Sequence, residues 1–598
     1  LGLRDEASER ETWRVVGGLR GTFNDDWTYE ISANYGKVTE DTTVLGNVDL
    51  QRLLLSMDAG IDPNNPGAGI QCRSKFDMGP AAQFDYIGDP AKFAADVAAC
   101  IPYDPFGFDP NTNAAARGYI VRDTISHATL DQLVLSAFVS GDSSQIFEMP
   151  GGPIRFALGA EYRREKLFYQ ADEFIEAGFT FYNALPTFDA DPFDVKEAFA
   201  EIQIPILKDM PFFHDLSVSA AARVAAYGGG TGTVWAYNAG IEWSPVADIR
   251  FRGNYGRSVR APNLTETAFP LTQNFSPGFT DPCRPSGIGL NPNRPANCLA
   301  DLGPLLGNLT DIAFSLEFVS GSNPDLEAET SDSYTIGAVI QPRWIPGLSI
   351  TADYYDITVN NVIATVAAQT IINSCYDQPN LDNPFCSAFE RWRGPGPGPN
   401  GEVPGAILSG SLTAVPLNFQ ALVRRGLDIE VAYRRNLGDN VRINSRLIYT
   451  HNFQISNFAN PAFPDLENRI LGELGDPKDE FSFNLDLTVD KVTFGYQARY
   501  IGRQVVNLYE DFFPLETACT PAGCPPNDAD WADTIWYPSV LYHDARIAFD
   551  VTKDYNFYFG VDNFTNRAPP MGLTGVGAGS GIYNVRGRNF YAGFRARF

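Results

Sequence analysis

Histidine and positive charge are scarce in this sequence. Its 598 residues include four histidines, and 45 lysines and arginines stand against 72 aspartates and glutamates, which gives a net charge of -27. A protein that binds nucleic acid must set lysine and arginine against phosphates, so nucleic acid is not expected as a partner. An acidic excess spread along the whole chain mostly serves solubility and attracts cations.

Motifs of catalysis and of cofactor binding are also missing. A hydrolase needs a nucleophile, a base and an orienting group within hydrogen-bond reach, and the few histidines are far apart in the sequence: His127, His214, His451 and His543. Neither a G-x-S-x-G nor an H-E-x-x-H pattern occurs. We therefore expect no enzymatic activity, no cofactor and no bound metal.

The sequence has no apolar run that could form a transmembrane helix. Its longest uncharged stretch, Val403 to Val423, is interrupted by prolines and glycines, so it could not satisfy its own backbone hydrogen bonds in lipid. If the protein crosses a membrane, it must do so as a closed β-barrel. Arg4, Asp5 and Glu6 rule out an apolar signal segment at the start. Since a barrel must be exported, we expect that Leu1 is not the true N-terminus.

Cysteines are few, and they fall into four local couples. The couples are Cys72 with Cys100, Cys283 with Cys298, Cys375 with Cys386, and Cys519 with Cys524. Each couple lies within one long segment rich in proline, glycine and asparagine, where a disulfide would rigidify a loop. Zinc ligation and free thiols are the alternatives, and zinc is disfavoured because no histidine accompanies a couple. Four disulfides would place the protein in an oxidising, extracytoplasmic compartment.

What the sequence has in abundance is a strand-and-turn composition with period-two alternation. Aromatic residues make up 13% of the chain, which also holds 54 glycines and 42 prolines. Between residues 481 and 490 the apolar side chains are Phe481, Phe483, Leu485, Leu487 and Val489, and polar side chains separate them. Soluble sandwiches also alternate. The predicted strands, however, are longer than the usual 5 or 6 residues, and aromatics such as Tyr354, Tyr355 and Tyr433 collect near their ends.

We predict seventeen strands in an all-β, antiparallel transmembrane barrel with short periplasmic turns and long extracellular loops. The predicted strands are 12–23, 27–38, 118–140, 153–170, 194–207, 215–228, 233–244, 248–262, 326–343, 347–361, 420–437, 440–456, 478–490, 491–505, 540–553, 555–566 and 583–598. Single-chain bacterial barrels normally have an even number of strands. An odd count therefore indicates that strands before residue 1 complete the barrel.

Several motifs resemble those of the TonB-dependent receptors of bacterial outer membranes. They are Tyr-Gly-Arg-Ser-Val-Arg-Ala-Pro-Asn-Leu-Thr-Glu at 255–266, Asn-Pro-Asp-Leu-Glu-Ala-Glu-Thr-Ser at 323–331, Asp-Val-Lys-Glu-Ala-Phe-Ala-Glu at 194–201, Gly-Ala-Glu-Tyr-Arg at 159–163, Val-Asp-Asn-Phe-Thr-Asn at 561–566, and the aromatic-ended segment 593–598. The resemblance covers about residues 12–598. Each motif is only moderately specific, but their common order makes the resemblance strong.

The resemblance implies a barrel of 22 strands with an N-terminal plug and a TonB box. On this basis residues 1–598 are the C-terminal part of the barrel, and the plug and about five strands lie outside the chain. The implied function is active import of a scarce solute, a siderophore-type ligand or an oligosaccharide, powered by the inner-membrane TonB system. The implied partners are outer-membrane lipid, TonB and that small ligand. A passive porin-like channel and a surface adhesion or assembly barrel remain alternatives.

Two groups of side chains are candidates for function. The first should line the lumen and face the plug: Arg250, Arg252, Arg442, Arg446, Asp428 and Glu430. The alternative is that any water-filled barrel is polar inside. The second group lies in the long loops and could bind the ligand by stacking and by ion pairing: Arg391, Trp392, Arg393, Phe279, Trp531 and Trp536. The alternative for these residues is packing of the loops against each other.

Overall fold

The wall of the protein consists of seventeen long strands, as the sequence predicts. The computed structural model describes residues 5–85, 87–107, 113–180, 183–460, 464–506, 536–573 and 581–597. The strands are β1 (Asp5–Phe23), β2 (Trp27–Val48), β3 (Val121–Asp142), β4 (Arg155–Gln170), β5 (Phe193–Met210), β6 (Phe213–Tyr227), β7 (Thr233–Val246), β8 (Ile249–Arg260), β9 (Glu329–Ile340), β10 (Leu348–Thr365), β11 (Pro416–Leu437), β12 (Val441–Phe458), β13 (Asp479–Val489), β14 (Val492–Ile501), β15 (Val540–Asp550), β16 (Tyr555–Asp562) and β17 (Asn589–Ala596).

Each wall strand pairs antiparallel with the next one along the chain. The pairing begins with β1 on β2, where Phe23 lies opposite Trp27, and ends with β16 on β17, where Phe557 lies opposite Phe594. Short turns such as 24–26, 211–212 and 490–491 lie at one end of the wall. The other end carries the long connections, which are 49–120, 171–192, 261–328, 366–415, 459–478, 502–539 and 563–588, with 228–232 as the short exception. The predicted alternation of short and long connections is confirmed.

The boundaries of several strands differ from the prediction. The first strand begins at Asp5 and not at residue 12, and the second extends to Val48 and not only to residue 38. Residues 118–120 end a helix and do not begin β3, and β17 begins at Asn589 although the predicted strand began at 583. In β10 the apolar pattern changes near Tyr355, yet the pairing with β9 continues in register through this residue. The irregularity in pairing with β11 falls later, between Val359 and Ile363. The pattern changes because Tyr355 lies on the polar side, over Gly426, where a Cβ atom would meet its hydroxyl at 2.2 Å.

The apolar side of the wall faces away from every described core. Ile336 is 67% exposed, Phe557 48% and Phe559 46%, and each lies opposite another apolar residue across the sheet: Tyr354, Phe594 and Ala592 respectively. The buried apolar clusters of the described residues lie in the loops and at the loop ends of strands. An exposed apolar side of this extent requires a surrounding that is itself apolar.

The helices belong to the connections and not to the wall. They are α1 (Leu50–Met57), α2 (Met78–Ala81), α3 (Pro90–Ala99), α4 (Ala114–Ile120), α5 (Glu173–Glu176), α6 (Leu264–Ala268), α7 (Arg294–Leu302) and α8 (Ala368–Asp377). The Asp89 side chain caps α3, and Asn383 caps the 3₁₀ helix Pro384–Ala388; in both helices proline occupies the first helical position. Among the described residues no helix has the length and apolar content needed to cross a membrane.

Three of the predicted disulfides are present. Cys72 is bonded to Cys100, Cys283 to Cys298, and Cys375 to Cys386, and all three bonds lie in long connections. The fourth predicted couple, Cys519 with Cys524, lies outside the described residues. The disulfides therefore stabilise the loop end of the molecule, where short helices and strands have little core of their own.

The two faces of the wall can be tested on neighbouring residues of β9. We expect Ile336→Arg to lower the amount of protein assembled in the outer membrane, because arginine at mid-depth in lipid costs about 2–4 kcal/mol. Thr335→Arg is the control, since its side chain lies on the polar face. Fractionation of the outer membrane followed by quantitative blotting measures the effect. Equal loss in the two variants would contradict the assignment of the faces.

Candidate functional site

Two sequence motifs meet where loop 261–328 leaves and rejoins the wall. Arg260 ends β8 and forms ion pairs with Glu266 at 3.0 Å and with Glu329, which begins β9, at 2.5 Å. The side chains of Asn263 and Glu266 form a capping box on α6. The backbone N–H of Asn323 donates to the Glu266 carbonyl at 2.8 Å. The motifs at 255–266 and 323–331 therefore close the base of a long loop.

Two long loops fold together into one body, which we call the central loop module and define as residues 261–328 and 366–415. Its small sheet pairs Thr272–Phe279 antiparallel with Phe314–Ser320, and this strand pairs parallel with Leu412–Ala414 from the other loop. Its buried core includes apolar residues of both loops together with the cysteines of two disulfides. A module with its own core holds a defined surface above the wall.

A buried arginine joins the two halves of this module. The Arg391 side chain is 1% exposed and lies 2.7 Å from the carboxylate of Asp281. It also donates to the Tyr376 hydroxyl at 2.6 Å and to the Gly405 carbonyl at 2.7 Å. Burial disfavours the charge on Arg391, but Asp281 and Tyr376 outweigh it and hold the pKa of the guanidinium above its ordinary value. Burial and Asp301 also raise the pKa of Tyr376.

The structure separates the predicted ligand-binding residues into different environments. Phe279 is 1% exposed in the module core and Arg391 is buried in its ion pairs, so both pack the loops and neither presents its side chain to a ligand. Trp392 is half-buried, and its indole N–H donates to the Gly396 carbonyl at 2.9 Å. Arg393 is 53% exposed and pairs with Asp301 at 2.5 Å. Within the segment Arg391–Arg393, only Trp392 and Arg393 reach the surface of the module.

The predicted tryptophans near residue 530 lie on other loops. Trp536 belongs to a two-residue strand that pairs with Gln504–Val505, and its ring lies 4.4 Å from the guanidinium carbon of Arg503. Trp531 lies outside the described residues. Trp536 and the Arg391–Arg393 run therefore belong to separate loop structures.

The six predicted lumen residues all lie on the polar face of the wall. Arg252 pairs with Asp353 at 2.5 Å, Arg446 with Glu430 at 2.8 Å, and Arg250 with Glu242 at 3.7 Å. Asp428 accepts a hydrogen bond from Thr450 at 2.7 Å, and Arg442 is exposed at the short-turn end of β12. Arg250, Arg446 and Glu430 are therefore paired between neighbouring strands, and Arg252 reaches Asp353 across the intervening strand β9. Among the described residues, no cluster of histidine, cysteine, aspartate and glutamate could hold a metal ion.

A family model of TonB-dependent receptor-like β-barrels matches residues 2–564. The chain belongs to the TonB-dependent receptors. It is therefore an outer-membrane β-barrel. None of the curated proteins compared with it matches the sequence.

Solved structures share this fold at low sequence identity. The siderophore receptor PirA from Acinetobacter baumannii aligns with a TM-score of 0.52 and 13% identity, over 99% of this chain and 63% of that one. A ferric enterobactin receptor from Pseudomonas aeruginosa aligns with a TM-score of 0.54 and 15% identity, over 99% and 62%. The RagAB peptide transporter aligns with a TM-score of 0.52 and 11% identity, over 100% and 62%. This receptor chain thus spans less than two thirds of these neighbours.

The buried arginine of the central loop module gives a testable prediction. We expect Arg391→Met to destabilise the module by about 3–5 kcal/mol, because it leaves the Asp281 carboxylate buried without its partner. Hydrogen exchange should then rise within residues 261–328 and 366–415, while the wall strands stay protected. Arg393→Met is the control, since its exposed ion pair contributes about 1 kcal/mol or less. Unchanged exchange in Arg391→Met would show that the module does not depend on this pair.

Proposed function

We propose that this receptor imports a scarce solute across the outer membrane by active transport coupled to TonB. Family membership supports transport. The main structural support is the central loop module, which has its own core and two disulfides and lies above a polar-lined wall. A rigid module of this kind can capture a dilute ligand because little conformational entropy is lost on binding. The siderophore receptor and the peptide transporter that share its fold are consistent with this role.

The alternatives account for fewer of these features. A passive porin-like channel needs an open polar lumen, and it has no need of a loop module held by buried ion pairs. A surface adhesion or assembly barrel would use such loops, but the family match over residues 2–564 is to a TonB-dependent receptor-like β-barrel, which favours uptake. We assign the exposed pair Trp392 and Arg393 to the first contact with solute. We assign the polar-face charges, such as Arg442 and Asp428, to the lumen and plug surface.

We also propose that strands outside this sequence complete the barrel and that a plug closes it. Within the described residues, β1 pairs only with β2 and β17 only with β16, so each edge strand has one side without a partner. Unpaired backbone groups in lipid cost several kcal/mol each, which makes an open edge of this length untenable in a membrane. About five further strands would bring the total to the even number expected of this family.

The missing strands can be tested by cysteine cross-linking in the full-length receptor. Val15→Cys on β1 and Ala592→Cys on β17 should form no disulfide, because five intervening strands would separate them by six strand spacings, about 29 Å along the wall. The control pair, Phe559→Cys with Ala592→Cys, joins register partners and should oxidise readily. Oxidation of the Val15 and Ala592 pair would show that β1 and β17 are neighbours.

Energy coupling is tested by growth and uptake in a host that lacks this receptor. We expect the reintroduced receptor to restore growth on a limiting neutral oligosaccharide or a limiting ferric siderophore. We also expect uptake of that solute to fall to background when a protonophore collapses the proton gradient or when the tonB gene is deleted. An unrelated general porin in the same cells provides the control for uptake that needs no energy. Uptake unaffected by both treatments would identify a passive channel.

A further inference from the structure

The central loop module joins the wall at the loop ends of four strands, β8 to β11. At this level the pairing of β10 with β11 is irregular. Val359 pairs with Leu422 and Val362 with Gln420, so two residues of β10 lie opposite one of β11. Asn361 belongs to this bulge and has a φ of 55°. A bulge removes backbone groups from the ladder of hydrogen bonds, and such groups need other partners.

Glu329, the first residue of β9, provides one of these partners. Its carboxylate accepts a hydrogen bond from the backbone N–H of Ile363 in β10 at 2.8 Å. The same oxygen, Oε1, accepts a hydrogen bond from Arg260, the last residue of β8, at 2.5 Å. The Glu329 side chain is 11% exposed, so its carboxylate is largely shielded from water. One side chain therefore connects the ends of three strands, and these strands lead into both loops of the module.

Asn418, near the start of β11, provides the other partner. Its side-chain oxygen accepts a hydrogen bond from the backbone N–H of Glu327 at 2.8 Å, and its side-chain nitrogen donates to the Glu327 carbonyl at 2.9 Å. The same nitrogen donates to the carbonyl of Asn361 in the bulge at 2.8 Å. One amide thus joins two backbone segments to β11. We call the residues of these contacts the module base, which consists of Arg260, Glu327, Glu329, Asn361, Ile363 and Asn418.

Apolar contacts also join the module to the wall. Leu417 and Phe419 of β11 pack against the module core. Burial of apolar surface stabilises such a contact, but it has no preferred direction. Hydrogen bonds depend on angle as well as on distance. The contacts that can fix an angle between module and wall are therefore those of the module base.

We propose that Glu329 and Asn418 are positioning residues, which hold the central loop module at one angle over the barrel and so place Trp392 and Arg393 for solute. This inference rests on the proposed role of the module in solute capture. A rigid body offers a defined surface only if its orientation is also defined. The module then has two separate determinants, because Arg391 and its partners stabilise its interior while the module base orients it.

The experiment measures the distance between two nitroxide labels by double electron–electron resonance, in the full-length receptor reconstituted in lipid bilayers. The labels are attached to Leu299→Cys in α7 of the module and to Ala239→Cys in β7 of the wall, where both side chains are exposed. We expect a narrow distance distribution in the parent receptor. In Glu329→Ala and in Asn418→Ala it should become about twofold wider, because backbone groups of the module base lose their partners.

Hydrogen exchange separates orientation from stability. In Glu329→Ala and in Asn418→Ala the core of residues 261–328 and 366–415 should stay as protected as in the parent receptor, whereas Arg391→Met should lose this protection. Glu390→Ala is the control for loss of a module carboxylate. The Glu390 side chain is exposed and has no hydrogen-bond or ion-pair partner among the described residues, so its distance distribution should match the parent.

Two results would overturn the proposal. One is a distance distribution that matches the parent in either alanine variant, and the other is a wider distribution accompanied by lost protection of the module core. If an alanine variant fails to assemble, Glu329→Gln and Asn418→Asp decide in its place, because each keeps the size of the side chain and one backbone contact and should still widen the distribution. The measurement uses no solute. Energy-independent uptake would therefore contradict the proposed transport without affecting this result.

Discussion

The structure depends on one constraint, which is that each backbone N–H and C=O group of the wall must find a partner where no water is available. Pairing every strand with the next one in sequence meets this constraint with the shortest connections. Since side chains alternate along each strand, a single register then fixes both surfaces of the wall. Ile336 faces outwards next to Tyr354 from β10, while Thr335 faces inwards. Slippage of one residue would bring charges such as Glu430 and Arg446 into lipid.

A wall with this organisation has no hydrophobic core between layers, so its long loops must be stabilised in another way. The loop modules use disulfides, short capped helices and small apolar clusters, as small extracellular domains do. The central loop module adds the buried pair of Arg391 and Asp281, which joins one loop to another. Such a pair is costly to break because either residue alone would be an uncompensated buried charge. Loop position, and with it the surface offered to solute, is thereby defined.

Local patterns in the sequence predicted the wall well, and they predicted the loops only in part. Strand number, the alternation of short and long connections and three disulfides all arise from residues close in sequence. The burial of Phe279 and Arg391 does not, because it depends on partners in a different part of the chain: Asp281 and Arg391 are 110 residues apart. The contacts of Asn418 with Glu327 and Asn361 likewise depend on distant partners, since Asn418 is 91 residues from the first and 57 from the second. The sequence shows that these residues are polar or aromatic, but it does not show which residues surround them in the fold.

Site-directed spin labelling tests the central assignment of one face to lipid and the other to an aqueous interior. Single nitroxides at residues 555–562 of β16, in the receptor reconstituted in lipid bilayers, would report accessibility to dissolved oxygen and to a water-soluble nickel chelate. We expect a period of two, with oxygen favoured at Tyr555, Phe557, Phe559 and Val561 and the nickel chelate at the residues between them. Accessibility without this alternation, or with the two phases reversed, would contradict the account.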